Sequence, residues 1–431
     1  LIDAQIAKLD EEADEAGMAD IEMLSATEDG LEPEMIDSLM ADSVVLKESS
    51  SLLAQTTPSE ATSVSPFTAE VSYIGDVVSN LSGGISKGTV FMGMLDVGIS
   101  FETEKAGWWK GGTLFIHGQN THGGAATESL VGDLQVLSNI ENGNSSYLYE
   151  IWYQQTFGPV SVLFGKHDLN ANFVASEYAG HFLNSAFGIH SSVALNVPVS
   201  IFPRTSLGVV TSVQFSDAVT FRMGVYDGSP SDPEVDPFNI DFTLNPDDGL
   251  LAIGELQVDL ARNERHIGTY KIGTYYHSGT YDQFGQNNLI RGNYGIYGVA
   301  DIDIVQKSPI SGKGLSTFLQ LGWAPSDRNF NDHYVGAGLN YFGVLKGRSD
   351  DVLGLAVAHA EISEAAIQSN NEDPVGNPFM KNFETAIELS YKIQVSDQIS
   401  IQPDIQYILN PGLMANVENA VVALVRFEAQ F

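Results

Sequence analysis

From about Phe67 to Phe431 the chain is written in segments of roughly ten residues in which apolar or aromatic residues alternate with polar ones. Period two is the mark of a strand with two unlike faces. The segments run 68–80, 88–103, 109–121, 147–157, 159–168, 205–216, 218–227, 250–261, 267–278, 292–306, 313–324, 333–343, 352–362, 383–395, 398–409 and 419–431, an even sixteen. Their joints alternate in length. The pieces "FGP", "SDA", "RNERH", "KSPISGK" and "SD" close every second joint, whereas 122–146, 169–204, 228–249, 279–291, 363–382 and 410–418 are longer and richer in Gly, Asn and Asp. Soluble sandwiches and propellers impose no such two-ended rule, but an outer-membrane barrel does, with short periplasmic turns and long external loops. The expected fold is therefore all-β: a closed 16-stranded antiparallel transmembrane β-barrel, wide enough for an aqueous channel.

The alternation also separates a dry face from a wet one. In 419–431, Val421, Ala423, Val425, Phe427, Ala429 and Phe431 share one face, and Val422, Leu424, Arg426, Glu428 and Gln430 the other. In 383–395, Phe383, Ile387, Leu389, Tyr391, Ile393 and Val395 oppose Glu384, Glu388, Lys392 and Gln394. In hydrocarbon every backbone N–H and C=O must be paired, so the first and last strands are expected to meet, with Phe431 at the periplasmic rim. Trp108, Tyr147, Trp323, Tyr334, Tyr391 and Phe431, at strand ends, are the expected interfacial girdle.

Composition narrows the function. Fifty-five acids against 20 bases give a net charge of −35, which excludes nucleic acid as a partner because a phosphate backbone would be repelled. There is no Cys, so disulfides, iron–sulfur clusters and Cys-ligated zinc are excluded. No apolar run approaches the roughly 18 residues of a spanning helix. Residues 1–65 differ in character: sixteen acids stand against Lys8 and Lys47. Helical spacing of Ile2, Ile6, Leu9, Ala13 and Ala16, and of Met35, Ile36, Leu39, Met40 and Val44, predicts a short acidic helical N-terminal extension over 1–48, on the periplasmic side. The Ser/Thr/Pro-rich stretch 49–66 reads as a linker. Expected contacts for residues 1–65 are a periplasmic or cell-wall partner, or a second copy in a homo-oligomer. Its start lacks the basic and apolar regions of an export signal, which fits either a cytosolic chain or a mature form.

The segment "GKHDLNANFVASEYAGHFLNSAFG" (165–188) resembles a hallmark of the carbohydrate-selective porins of the OprB type. "YLYEIWYQQ" (147–155), "IFPRTSLG" (201–208), "GVYDGSP" (224–230), "YKIGTYYHSG" (270–279), "GVLKGRSDDVLGLAVAHAEIS" (343–363) and "ELSYKIQVSDQISIQPDIQYILNPG" (388–412) agree with it, in order, over about 67–431. The resemblance implies a sixteen-stranded barrel in the outer membrane of Gram-negative bacteria, bathed in lipid and lipopolysaccharide. It also implies facilitated diffusion of monosaccharides and related small solutes, and basic residues, notably arginine, at the constriction. A general diffusion or cation-preferring porin is the alternative.

Loop 169–204 is too apolar, with Phe173, Tyr178, Phe182 and Phe187, to be freely solvated, and is expected to fold inward and narrow the channel. Strand parity aims Arg204, Arg222 and Arg426 inward, together with Glu150, Trp152, Glu255, Asp259, Lys271, Glu384 and Glu388. Rings of both signs would orient hydroxyl-rich solutes; alternatively these charges satisfy one another. Lys166, Asp168, Asn170 and Asn172 either contact solute with Phe173 or hold the loop through local backbone bonds. Arg348, Asp350 and Asp351 sit in a periplasmic turn and are read as structural.

No cofactor is expected. The acid-rich loop 227–249 offers Asp232, Asp236, Asp241, Asp247 and Asp248 to Ca²⁺, but without the spacing of a twelve-residue calcium loop. His117/His122 and His181/His190 lack the spacing of a helical zinc site, and neither a Gly-x-Ser-x-Gly elbow nor a phosphate loop occurs, so an enzyme is not expected.

Overall fold

The computed structural model describes residues 65–262, 265–286, 288–308, 311–372 and 381–431; the expected N-terminal helices and linker lie outside the described residues apart from the last two positions. Sixteen strands follow in order: β1 (Phe67–Gly84), β2 (Gly88–Glu102), β3 (Gly112–Gly123), β4 (Ser145–Phe157), β5 (Val160–His167), β6 (Ser206–Ser216), β7 (Val219–Asp227), β8 (Leu250–Arg262), β9 (Arg265–Asp282), β10 (Leu289–Val305), β11 (Gly314–Trp323), β12 (Asn331–Phe342), β13 (Val352–Ile362), β14 (Phe383–Ser396), β15 (Ile399–Leu409) and β16 (Glu418–Gln430). Each pairs antiparallel with its neighbours in sequence, and β16 returns to β1 from Ser72↔Gln430 to Gly84↔Glu418, closing the barrel. No helix of the described residues is long and apolar enough to cross a membrane.

Parity holds through the wall. Val425 and Phe427 are exposed on the outside, whereas Val422, Leu424 and Arg426 are buried on the inside. Short and long connections alternate less strictly than predicted. β1, β9 and β10 extend beyond the predicted ends, which leaves external connections of only 85–87 and 283–288. The turn 103–111 holds Trp108 and Trp109 outside any strand, with Trp108 edge-on to Phe101 and tilted against Trp109 at the periplasmic rim (Phe101 to Trp108, 5.2 Å; Trp108 to Trp109, 5.6 Å).

The expected girdle needs one correction. Tyr147 and Tyr334 have inward parity and are buried; their hydroxyls donate to Gln119 Oε1 at 3.0 Å and Ala186 O at 2.8 Å. On the outer face Tyr276, Tyr294, Tyr407 and Trp323 are exposed near the external strand ends.

The tube is not empty. One apolar cluster inside it joins wall residues Ile74, Val78, Phe318, Val422 and Leu424 to Leu130, Leu137, Phe182 and Phe187, which belong to loops. A second joins Leu163, Val210, Tyr226, Leu251 and Val299 to Leu169, Phe173 and Val197. Glycine makes room where a loop meets the wall: a Cβ on Gly354 would lie 2.7 Å from the Phe182 ring, and one on Gly224 2.9 Å from Phe173.

Candidate functional site

Two external loops line the lumen. Loop 3 (168–205) folds inward as predicted, and so does loop 2 (124–144), whose Leu130, Val131, Leu137 and Ile140 bury in the same cluster. The signal for loop 2 was in the sequence, since "SLVGDLQVLSNI" is as apolar as the stretch that identified loop 3.

The wall holds loop 3 at successive points. Asp168 N donates to Glu150 on β4 (2.8 Å), Val174 N to Glu255 on β8 (2.8 Å), and Glu177 N and Tyr178 N to Asp301 on β10 (3.1 and 3.2 Å). Leu183 N and Asn184 N donate to Glu388 on β14 (2.6 and 3.0 Å). In the other direction, the side chains of Asn340, Gln402 and Gln320 donate to the carbonyls of Tyr178, His181 and Phe187 at 2.8, 2.8 and 3.0 Å. Loop 2 is treated alike: Leu134 N and Gln135 N donate to Glu384 at 2.9 and 3.0 Å, and Gly412 N joins them at 2.8 Å.

These contacts relocate several residues that parity had aimed at the pore. Glu150, Glu255, Glu384 and Glu388 do point inward, but loops cover them and they are at most 6 % exposed. Arg426 lies under loop 2: its Nε and an Nη bind the two oxygens of Asp76, each at 2.8 Å, and the same Nη reaches Ser138 and Asn139. Arg222 is buried, with an Nη donating to Gln257 at 2.8 Å and lying 3.8 Å from Glu255. Phe173 is fully buried against the wall. Arg204 precedes β6, so strand parity does not govern it; it stacks on Tyr147 (4.8 Å to the ring centroid) and donates to the carbonyls of Asp236 and Pro237 in loop 4 (228–249), both at 3.1 Å. Lys166 shares parity with the exposed Phe164 and faces outward, where its Nζ donates to Asn239 O at 3.0 Å, tying down loop 4 rather than loop 3.

What remains open to the lumen is a different set. Trp152 is half-buried, 5.1 Å from the half-buried ring of Phe115 on the neighbouring strand, and packs against the cluster containing Leu169. Asn170 and Asn172 stay half-exposed while bonding locally: Asn170 Nδ2 donates to Phe173 O at 3.1 Å, and Asn170 N to Asp168 Oδ1 at 2.7 Å. Asp168 also accepts from Tyr149 at 2.5 Å. Tyr149 sits at a register break between β3 and β4, which no parity argument could have located. Lys271 is half-buried and donates to Ala175 O at 2.8 Å; Asp259 nearby accepts from Thr269 at 2.6 Å. Glu177 is exposed on loop 3 and was not singled out from the sequence, having no strand to give it a direction.

In loop 4 three of the five carboxylates proposed for calcium bind backbone, and Asp248 accepts from the Asn245 side chain at 3.1 Å. Asp236 accepts from Ile240 N (3.0 Å) and Asp241 N (2.8 Å), Asp232 from Glu234 N (2.8 Å) and Asp241 from Thr243 N (2.9 Å). Burial alone would raise the Asp236 pKa, but these N–H groups and Lys166 hold it below the ordinary value. Among the described residues no group of three or more His, Cys, Asp or Glu is placed to hold a metal ion. In the turn 343–351 the guanidinium of Arg348 grips Asp351 (2.5 and 2.9 Å), which also accepts from Tyr391 and Gln394 N, a link between this turn and the periplasmic end of β14.

The family model for the carbohydrate-selective porins of the OprB family matches residues 88–431, most of the chain. The chain belongs to this family. Porin B of Pseudomonas aeruginosa is 24 % identical over 402 residues, covering 84 % of this chain and 87 % of that protein. The putative porin QuiX of Acinetobacter baylyi is 23 % identical over 395 residues, covering 83 % and 87 %. The high-pH structure of OprB from Pseudomonas putida shares the fold, with a TM-score of 0.77 at 20 % identity over 85 % of this chain and 94 % of that one. This OprB-family protein is thus a porin of the bacterial outer membrane that passes carbohydrates through a channel.

Proposed function

We propose that carbohydrates cross through the part of the lumen bounded by the inner wall of β3 and β4 on one side and loop 3 on the other. They meet the ring faces of Phe115 and Trp152, and Asn170, Asn172 and Lys271, while Asp168 shapes the loop from beneath. One observation supports this reading above others: the charged groups aimed inward by Glu150, Arg222, Glu255, Glu384 and Arg426 are bound to loop backbone, to each other or to the wall. The surface left for a solute combines the aromatic and amide groups of Phe115, Trp152, Asn170 and Asn172 with a smaller set of charges, Lys271, Asp259 and Glu177. A sugar offers hydroxyls at its rim and C–H groups on its faces, so amide and ammonium groups can hold the rim while a ring covers a face. Weak contacts of this kind let the solute leave as readily as it enters, which a channel requires, and no bond is made or broken in transit.

The test is current through single channels in planar bilayers as glucose is titrated. A saturable fall in current is expected, and Trp152→Ala should raise the half-blocking concentration by about threefold or more. A fall that follows solution viscosity alone, or a Trp152→Ala channel blocked like the parent, rejects the assignment.

A further inference from the structure

Carboxylates in a porin wall are ordinarily read as charge offered to the permeating solute, yet here four of them face the main chain of loop 3. Glu150, Glu255, Asp301 and Glu388 stand on β4, β8, β10 and β14, in the same order around the barrel as the loop segments they hold: Asp168, Val174, Glu177–Tyr178 and Leu183–Asn184. All four are at most 6 % exposed. Loop 3 has no regular secondary structure between Asp168 and Tyr178; the N–H groups of Leu169, Asn170, Asn172 and Phe173 bond within the loop, whereas those of Asp168, Val174, Glu177 and Tyr178 take their acceptors from the wall. A carboxyl group offers two acceptor oxygens on one side chain and can take two N–H groups at once, as Asp301 and Glu388 do.

We propose that Glu150, Glu255, Asp301 and Glu388 are positioning residues that set the aperture of the channel by fixing the backbone of loop 3 from the wall. They do not touch the solute. Because they hold the loop chiefly through its N–H groups, with the buried Ser176 a side chain that Asp301 also binds, the loop's lumen-facing residues can be exchanged without moving the loop, which separates the width of the channel from the chemistry of its lining. This rests on the reading of loop 3 as the constriction but not on which solute passes.

The experiment uses the full chain in planar bilayers. Asp301→Leu with Glu388→Leu removes four acceptor oxygens that hold loop N–H groups, one of which also accepts the Ser176 hydroxyl. Conductance should rise about twofold or more, and the largest neutral polymer able to enter should grow. Glu388→Gln, which keeps a carbonyl acceptor, should stay close to the parent. Unchanged conductance in the double Leu variant overturns the proposal. Should that variant not fold, Ser176→Cys with Asp301→Cys gives a second route, since Ser176 Oγ lies 2.5 Å from Asp301 and the chain has no other Cys. Reduced, this channel should be wide. Oxidised, with the disulfide confirmed by mass, it should return toward the parent conductance, and equal conductance in the two states overturns the proposal. These readouts are potassium chloride conductance and polymer size, so a failed glucose titration would reject the sugar pathway without touching them.

Discussion

Replacing residues 176–187 with a short Gly/Ser linker is expected to raise single-channel conductance about threefold or more and to erase discrimination among small neutral solutes. This segment carries Tyr178, Phe182 and Phe187, which bury against Phe318, Tyr334 and the alanines Ala356, Ala358 and Ala360 on the far wall. None of its bonds belongs to the barrel ladder, whose strands pair with one another through all sixteen seams. The barrel should therefore still close and run as a compact, heat-modifiable band on electrophoresis. A folded deletion variant with parental conductance would mean that loop 3 lies in the tube without limiting flow.

The second large effect is on stability. Arg426 and Asp76 face each other across the seam where β16 meets β1, and both are buried, Asp76 completely. Removing one partner of such a pair leaves a charge with no compensation away from water, so Arg426→Ala should destabilise the folded barrel by about 3–5 kcal/mol. The same change frees loop 2, which Arg426 binds through Ser138 and Asn139. Arg426→Met combined with Asp76→Leu should recover most of the loss, because two apolar groups do not need each other's charge. Urea unfolding in detergent, followed by tryptophan fluorescence, measures both. A single-variant midpoint within error of the parent would show that the seam is held by its ladder bonds alone.

The barrel was legible because two independent periodicities agree: apolar residues at every second position, and turns that shorten at every second joint. Strand parity also gave the inward direction of Glu255, Glu388, Arg222, Lys271 and Arg426. Parity cannot say what lies above an inward side chain. Whether Glu388 meets water or the main chain of Leu183 depends on a loop more than 200 positions away, and nothing local to β14 encodes that contact. Arg204 and Lys166 failed for simpler reasons, the first lying outside a strand and the second pointing to the outer wall beneath loop 4. The inward course of loop 2 was readable from Leu130, Leu137 and Ile140 by the test that succeeded for loop 3. The result changes how the net charge of −35 is understood, since part of it anchors loops and is not a field along the pore.

The most direct test of the whole account is solute entry into proteoliposomes containing the purified protein, followed by light scattering as they swell. Glucose should enter faster than a neutral polyol of nearly equal mass. Rates that depend on molecular size alone would contradict a sugar-selective channel lined as described above.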